Sequence, residues 1–380
     1  MAHAVLSPSA ASRWLTCTPS ARLELQFPDK AGDYAKEGTL AHEFGELFLR
    51  QKLGTDVAGL LAKARENEFY TPDMETHAEE YAALVWEKYE IARKTTPDAI
   101  LLVEEHIDLT AYVPEGFGTG DAVIIADDLL DITDLKYGKG VAVSAKRNKQ
   151  MMLYALGALL KYSIMYGVNR VRMTIYQPRI GNVSEWEITA ADLLEWAETE
   201  LKQRAKMAFE GIGEQVPGDH CRFCRAKAVC KALAEQNLSA AKEEFMQVGL
   251  LTPEQVAEIL PKLDGLVNWA NAVEEYALDQ ALQGVKFPGF KIVEGRSIRK
   301  YADDKKVAER LEANGYGDII YKPKELKTIT TLEKALTKKG FEALVGDLIV
   351  KPAGKPTLVP ESDKRPEWSS AEEDFKDVSV

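Results

Sequence analysis

Four cysteines limit what this chain can fold into more than any other feature. Cys221, Cys224 and Cys230 form C-x2-C-x5-C within the segment from His220 to Cys230, close enough for three thiolates to converge on one centre. Cys17 is the natural fourth ligand. Met1 to Thr16 lacks the basic start and long apolar centre of a secretory signal. The expected location is therefore the cytoplasm, where structural disulfides are improbable. Four thiolates suit a tetrahedral zinc ion or an iron–sulfur cube, and spacing does not choose between them. Either centre would tie residue 17 to residue 221, 204 positions apart. Such a clasp closes a whole domain rather than a small finger.

The chain between these anchors reads as α/β. Ser7-Pro8 reads as a helix start leading through Arg13 and Trp14 toward Cys17. Leu40, Phe44, Leu47 and Phe48 make one apolar helical stripe, with His42 on the opposite face. Thr71 to Lys94 reads as a helix and Ile100 to Asp108 as a strand. After a turn-rich Pro114 to Gly120, the runs Asp121–Ala126 and Leu129–Asp134 read as a hairpin around Asp127-Asp128. A buried helix (Gln150–Tyr162), a strand (Val171–Gln177) and a long helix (Ala190–Glu210) follow. Past Cys230 the pattern predicts a helix over Pro253–Leu282, a Gly/Pro break at Gly284–Gly289, a short strand near Lys291–Glu294 and two more helical stretches. The expected domains are 1–240, a smaller α+β accessory region over 241–351, and an irregular tail over 352–380. The longest apolar run, Leu153 to Leu160, is far short of a membrane span, so no membrane partner is expected.

A net charge of −12 argues against a protein that coats nucleic acid with its whole surface, but the balance reverses locally. Lys136, Lys139, Lys146, Arg147 and Lys149 face only Asp134 between residues 134 and 150. With a two-residue turn the hairpin register sets Asp121 opposite Asp134, and Lys136 projects from the same face two residues on. Opposed carboxylates repel unless a cation lies between them. Together with Glu104 on the neighbouring strand and His42, they make a ligand set for Mg²⁺ or Mn²⁺ and the chemistry of phosphodiester hydrolysis. The bland alternative is a surface hairpin with solvated aspartates.

Gly120-Asp121 followed by Asp134-Leu135-Lys136 resembles the PD-(D/E)XK nuclease signature. Gln150-Met151-Met152-Leu153-Tyr154 resembles the Q-x-x-x-Y motif of its RecB-like branch, and Gly38 to His42 resembles that branch's upstream metal-binding helix. The cysteine pattern resembles the iron–sulfur clasp of AddB-type and CRISPR adaptation nucleases, and the layout resembles phage-borne proteins of this branch. The signature's proline is replaced by Gly120. The resemblance covers about residues 7–235. It implies a restriction-endonuclease-like core, a mixed central sheet flanked by helices, with a helical N-terminal segment.

By the same resemblance His42, Asp121, Asp134 and the Leu135 carbonyl would bind Mg²⁺ or Mn²⁺, with Glu104 a weaker ligand and Lys136 catalytic. Gln150 and Tyr154 would contact the DNA backbone or support the site, and Cys17, Cys221, Cys224 and Cys230 would hold a [4Fe–4S] cluster. The function expected is a metal-dependent DNA exonuclease acting at ends in phage recombination, replication or repair, with DNA and a single-strand-binding or annealing protein as partners. A DNA-end-binding scaffold and a zinc-stapled protein of unrelated function are the competing readings. Lys291, Arg296, Arg299 and Lys300 form a further basic stretch, read as a solvated surface or a DNA guide.

Overall fold

The computed structural model describes residues 4–29, 32–245 and 252–293. The chain divides into two compact units, Met1–Gly295 and Arg296–Val380, and the description concerns the first. Arg296, Arg299, Lys300, the two later helical stretches and the 352–380 tail lie outside the described residues.

Helices α1 (Ala11–Thr16), α2 (Ser20–Leu23), α3 (Asp33–Lys52), α4 (Ala58–Ala64) and α5 (Pro72–Thr95) precede the sheet. Strands β1 (Ile100–Asp108), β2 (Phe117–Ala126) and β3 (Leu129–Leu135) follow, then α6 (Lys149–Tyr162), β4 (Arg170–Gln177) and β5 (Asn182–Thr189). Helices α7 (Ala190–Trp196), α8 (Lys202–Glu210), α9 (Lys231–Phe245) and α10 (Pro253–Leu282) complete the unit. The five strands lie in chain order, antiparallel except for the β3/β4 pair, and α6 is the crossover that a parallel pair requires. This is the expected mixed α/β sheet flanked by helices.

Local chemistry accounts for the ends of these elements. Thr71 caps α5 by accepting from the Met74 N–H at 3.2 Å, with Pro72 in the first turn, and Asn148 caps α6 by accepting from Met151 at 3.2 Å. The β2–β3 turn has the expected two residues, Ala126 pairing with Leu129, and Asp128 takes the left-handed conformation (φ 65°). Helix α6 is buried from Met151 through Leu159, because it packs on the sheet on one side and on α1 and α7 on the other.

The structure corrects several expectations. Phe117 to Gly120 belong to strand β2, not to a turn. The helix over 190–210 is interrupted by a π-helical segment, Ala197–Leu201. Strand β5 and helix α9 were not expected, and Lys291–Val293 form no strand. Ser7 makes no side-chain cap; instead its carbonyl accepts from Trp14 Nε1 at 2.9 Å.

Each face of the sheet carries its own core. One joins Val123, Ile125, Leu130, Ile132 and Met173 to α1, α6, α7 and α8; the other joins Leu101, Ala122, Ile124 and Leu135 to α3, α4 and α5. Gly157 sets the spacing on the α6 side, since a Cβ there would lie 2.3 Å from Ile107 Cγ2 and 2.9 Å from the Asp108 carbonyl oxygen. Gly157→Ala gains helix propensity but forces α6 off β1. A net loss of about 1–2 kcal/mol is expected in urea unfolding, and an unchanged midpoint would contradict the close approach.

Candidate metal centre

A break in strand alternation assembles the site. Leu101 and Val103 of β1 pack on the α3/α5 side, whereas Ile107 packs on the α6 side and Glu105 binds Lys161 and Tyr162 of α6 at 2.5 and 2.7 Å. Strict alternation would place these four on one face. The switch falls at Glu104, whose φ of +52° is left-handed, a conformation costing a non-glycine residue about 1–2 kcal/mol. Strand β2 switches opposite it. Ala122 belongs to the α3/α5 core, while a Cβ on Gly120 would lie 3.0 Å from Ile107 on the other side. Ladder pairing resumes as Val103↔Ala122 and Glu105↔Gly120, with Glu104 and Asp121 between them.

Both freed carboxylates reach His42 of α3. One ligand atom each from His42, Glu104 and Asp121 lies within 4.8 Å of the others, the one such group of three or more donors among the described residues. His42 Nδ1 is 3.2 Å from Asp121 Oδ2, which also accepts from the Leu135 N–H at 2.8 Å. The β2–β3 ladder has the expected register but its last pair is Ala122↔Thr133, so Asp121 bridges to the backbone of β3 instead of standing in a ladder pair with Asp134. Leu135 thus enters the site through its N–H.

Asp134 is 1% exposed and lies beside this group. Lys136 Nζ forms an ion pair with Asp134 Oδ2 at 2.8 Å. Gln150 ties the other parts together. Its Oε1 accepts from Lys136 Nζ at 2.9 Å, while Nε2 donates to Asp134 Oδ1 at 3.3 Å and to the Tyr154 hydroxyl at 3.2 Å. Gln150 and Tyr154 therefore brace the acid–lysine pair from α6.

The electrostatics register a shortage of positive charge. Burial opposes the His42 charge, but Asp121 overrides it and raises the imidazole to about 9. Burial and Asp121 push Glu104 up to about 7. Burial first, then Asp121, raises Asp134, while His42 and Lys136 hold Asp121 low against its own burial. Lys136 is raised by Asp134 despite burial, so it is a cation. A nitrogen and two carboxylates converging beside a further buried carboxylate fit a hard divalent cation.

The four cysteines are free thiols lining one cavity with Arg13, Ser20 and His220. Burial raises Cys221, and burial with nearby Glu24 raises Cys224 to about 12, so both are neutral thiols here. Hydrogen bonds already join the two ends of the core around this cavity. Arg204 donates to the carbonyls of Leu15 (2.7 Å) and Thr16 (2.9 Å), Thr18 donates to that of Ile212 (2.6 Å), and Glu24 accepts from the Arg225 N–H at 2.8 Å. Arg22 donates to the Phe209 carbonyl.

Sequence reasoning brought forward every residue of the centre, and the structure sets Glu104, the weaker candidate there, beside His42 and Asp121. No sequence signal separates Glu105 and Ile107 from Leu101 and Val103, which share their parity but pack on the opposite face. The arginines of β4 and of the turn after it are engaged in ion pairs. Arg170 pairs with Asp128 and Glu187, Arg172 with Asp131, Glu185 and Glu187, and Arg179 with Glu37.

Fold and centre together define an α/β protein whose sheet carries a histidine–carboxylate donor group at a strand break. The chain belongs to the family described as "Protein of unknown function (DUF2800)", whose model matches residues 3–366. A solved structure titled "Crystal structure of SSO0001" is similar at 13% identity, over 50% of this chain and 85% of that one, with a TM-score of 0.23.

The metal-free protein should lose stability as pH rises. His42 is raised above its usual 6.5, so its contribution is complete below that pH and disappears as pH climbs through about 9. Glu104 is raised from 4.5, so its burial in ionised form destabilises increasingly from pH 4.5 through about 7. A divalent cation competes with both protons. Mn²⁺ should therefore raise the unfolding midpoint more at pH 8.5 than at pH 6, and a shift independent of pH would contradict the assignment.

Proposed function

We propose that this chain is a metal-dependent nuclease of the RecB-like PD-(D/E)XK kind, a DNA exonuclease acting at ends in phage recombination, replication or repair. The observation that carries this reading is the His42–Glu104–Asp121 group within 4.8 Å, set beside the Asp134–Lys136 pair at 2.8 Å. Bound Mg²⁺ or Mn²⁺ would supply a Lewis acid for a phosphoryl oxygen and acidify a water molecule. His42, Glu104 and Asp121 would hold it, with Asp134, paired to Lys136, as the adjacent carboxylate. Lys136 is the cation that orients the attacking water or offsets charge gathering on the phosphate. Gln150 keeps the Lys136 ammonium and the Asp134 carboxylate in one geometry and acts as a positioning residue. DNA is the substrate in this reading, and a single-strand-binding or annealing protein the partner.

Digestion of end-labelled linear DNA with Mg²⁺ or Mn²⁺ tests it. Cleavage should depend on the metal, and Asp121→Ala, Asp134→Ala and Lys136→Ala should each lower the rate at least on the order of 10²-fold. Binding without cleavage by the unaltered protein would favour an end-binding scaffold, and near-normal cleavage by Asp134→Ala would contradict the assignment.

We further propose that Cys17, Cys221, Cys224 and Cys230 hold a [4Fe–4S] cluster. The four cysteines line one cavity, and four thiolates are a ligand set for such a cluster. Anaerobically purified protein should contain iron and sulfide in equal amounts, whereas stoichiometric zinc would replace the cluster. Because Arg204, Arg22 and Thr18 share the closure, Cys17→Ala should lower the unfolding midpoint while one cooperative transition remains. An unchanged midpoint would refute the clasp.

A further inference from the structure

The connection from β3 to α6, residues 136–148, begins at Lys136 and ends just before Gln150. Side chains of the neighbouring hairpin pin its middle in place. Gln177, 2% exposed, accepts from the Val143 N–H at 2.7 Å, and Asn182 donates to the Val143 carbonyl at 3.0 Å. Ser184 accepts from the Ala145 N–H at 2.9 Å. These side-chain bonds hold the segment against β4 and β5.

The pinned loop presents Lys139, Lys146 and Arg147, all exposed. None of them forms an ion pair among the described residues, whereas Lys136 and Lys149 at its ends, and Arg170, Arg172 and Arg179 on β4 and just after it, are all paired. In a chain of net charge −12, three unmatched cations on one short loop are a local reversal of the protein's field. Backbone geometry adds a second observation. Ala145 to Asn148 form a turn closed by a 3.1 Å hydrogen bond from the Asn148 N–H to the Ala145 carbonyl, and Arg147 sits in it at φ +56°. Glycine is favoured at such a position, so a cation occupies a site where the backbone prefers no side chain.

We infer that this loop is the nucleic-acid-tracking element of the protein, with Lys139, Lys146 and Arg147 binding phosphates of the strand that leads to Lys136. The inference rests on the nuclease reading for its substrate, but it concerns binding and is tested by binding. Counterion release gives the readout, because each phosphate neutralised contributes about 0.7 (single strand) to 0.9 (duplex) to the slope of log K against log salt.

The experiment is fluorescence anisotropy with fluorescein-labelled single- and double-stranded oligonucleotides, in EDTA to prevent cleavage, across a salt series. Lys139→Gln/Lys146→Gln/Arg147→Gln should reduce the slope by about 2 to 3 and weaken binding at low salt at least about tenfold. Arg170→Gln/Arg172→Gln, which removes paired cations, should leave the slope unchanged. Arg147→Gly removes cation and strain together, so binding should weaken while the unfolding midpoint stays the same; this excludes misfolding as the cause. An unchanged slope in the triple variant, or no oligonucleotide binding by the unaltered protein, overturns the inference. Loop-dependent binding without metal-dependent cleavage would instead overturn the nuclease reading alone.

Discussion

The left-handed turn of Glu104 in the middle of β1 is the constraint on which the candidate centre depends. A regular ladder would aim Glu104 and Asp121 at the α6 side, away from His42. The break rotates both toward α3, and His42 meets them there. Its conformational cost of about 1–2 kcal/mol is met by the ladder on both sides, which keeps one register across it. Without a cation, His42 is the internal counter-ion of the group and carries the proton that a metal would displace.

The two cores supply different parts of this centre. The α3/α5 side contributes His42 and receives the redirected acids, while α6 contributes Gln150 and Tyr154, which brace Asp134 and Lys136. Rigidity comes from packing. Met151 to Leu159 of α6 are buried, and Gly157 allows the helix to sit almost on the backbone of β1. A shift of α6 would therefore move Gln150 and loosen the lysine–carboxylate geometry before it touched the donor group. The proposed phosphate-binding loop leaves the same pair of residues, so substrate grip and chemistry share one support.

Much of this was legible in the sequence because the elements carry strong local signals. The β-branched and apolar run opening β1, the hydrophobic run of α6 and the proline start of α5 place those elements within a residue or two, and the two-residue turn at Asp127-Asp128 sets the hairpin register. Strand β5 escaped notice although Ser184, Trp186 and Ile188 alternate with Val183, Glu185 and Glu187, because an edge strand with a polar outer face resembles a loop in composition. What no periodicity reveals is a face switch, since it leaves residue spacing untouched and changes only where side chains point. The turn of Glu104 and Asp121 toward His42 is for that reason visible only in the structure. Ion pairing was equally hidden, as Arg170 and Arg172 look free until β5 and its glutamates lie beside them.

The central claim is that His42, Glu104 and Asp121 are held together to bind a divalent cation. The most direct measurement is anomalous diffraction from crystals of the protein soaked in Mn²⁺. The account predicts one strong peak among the His42 imidazole and the Glu104 and Asp121 carboxylates, with the contact between His42 Nδ1 and Asp121 broken. An unbroken His42–Asp121 contact with no manganese beside it, at saturating Mn²⁺ and neutral pH, would contradict it.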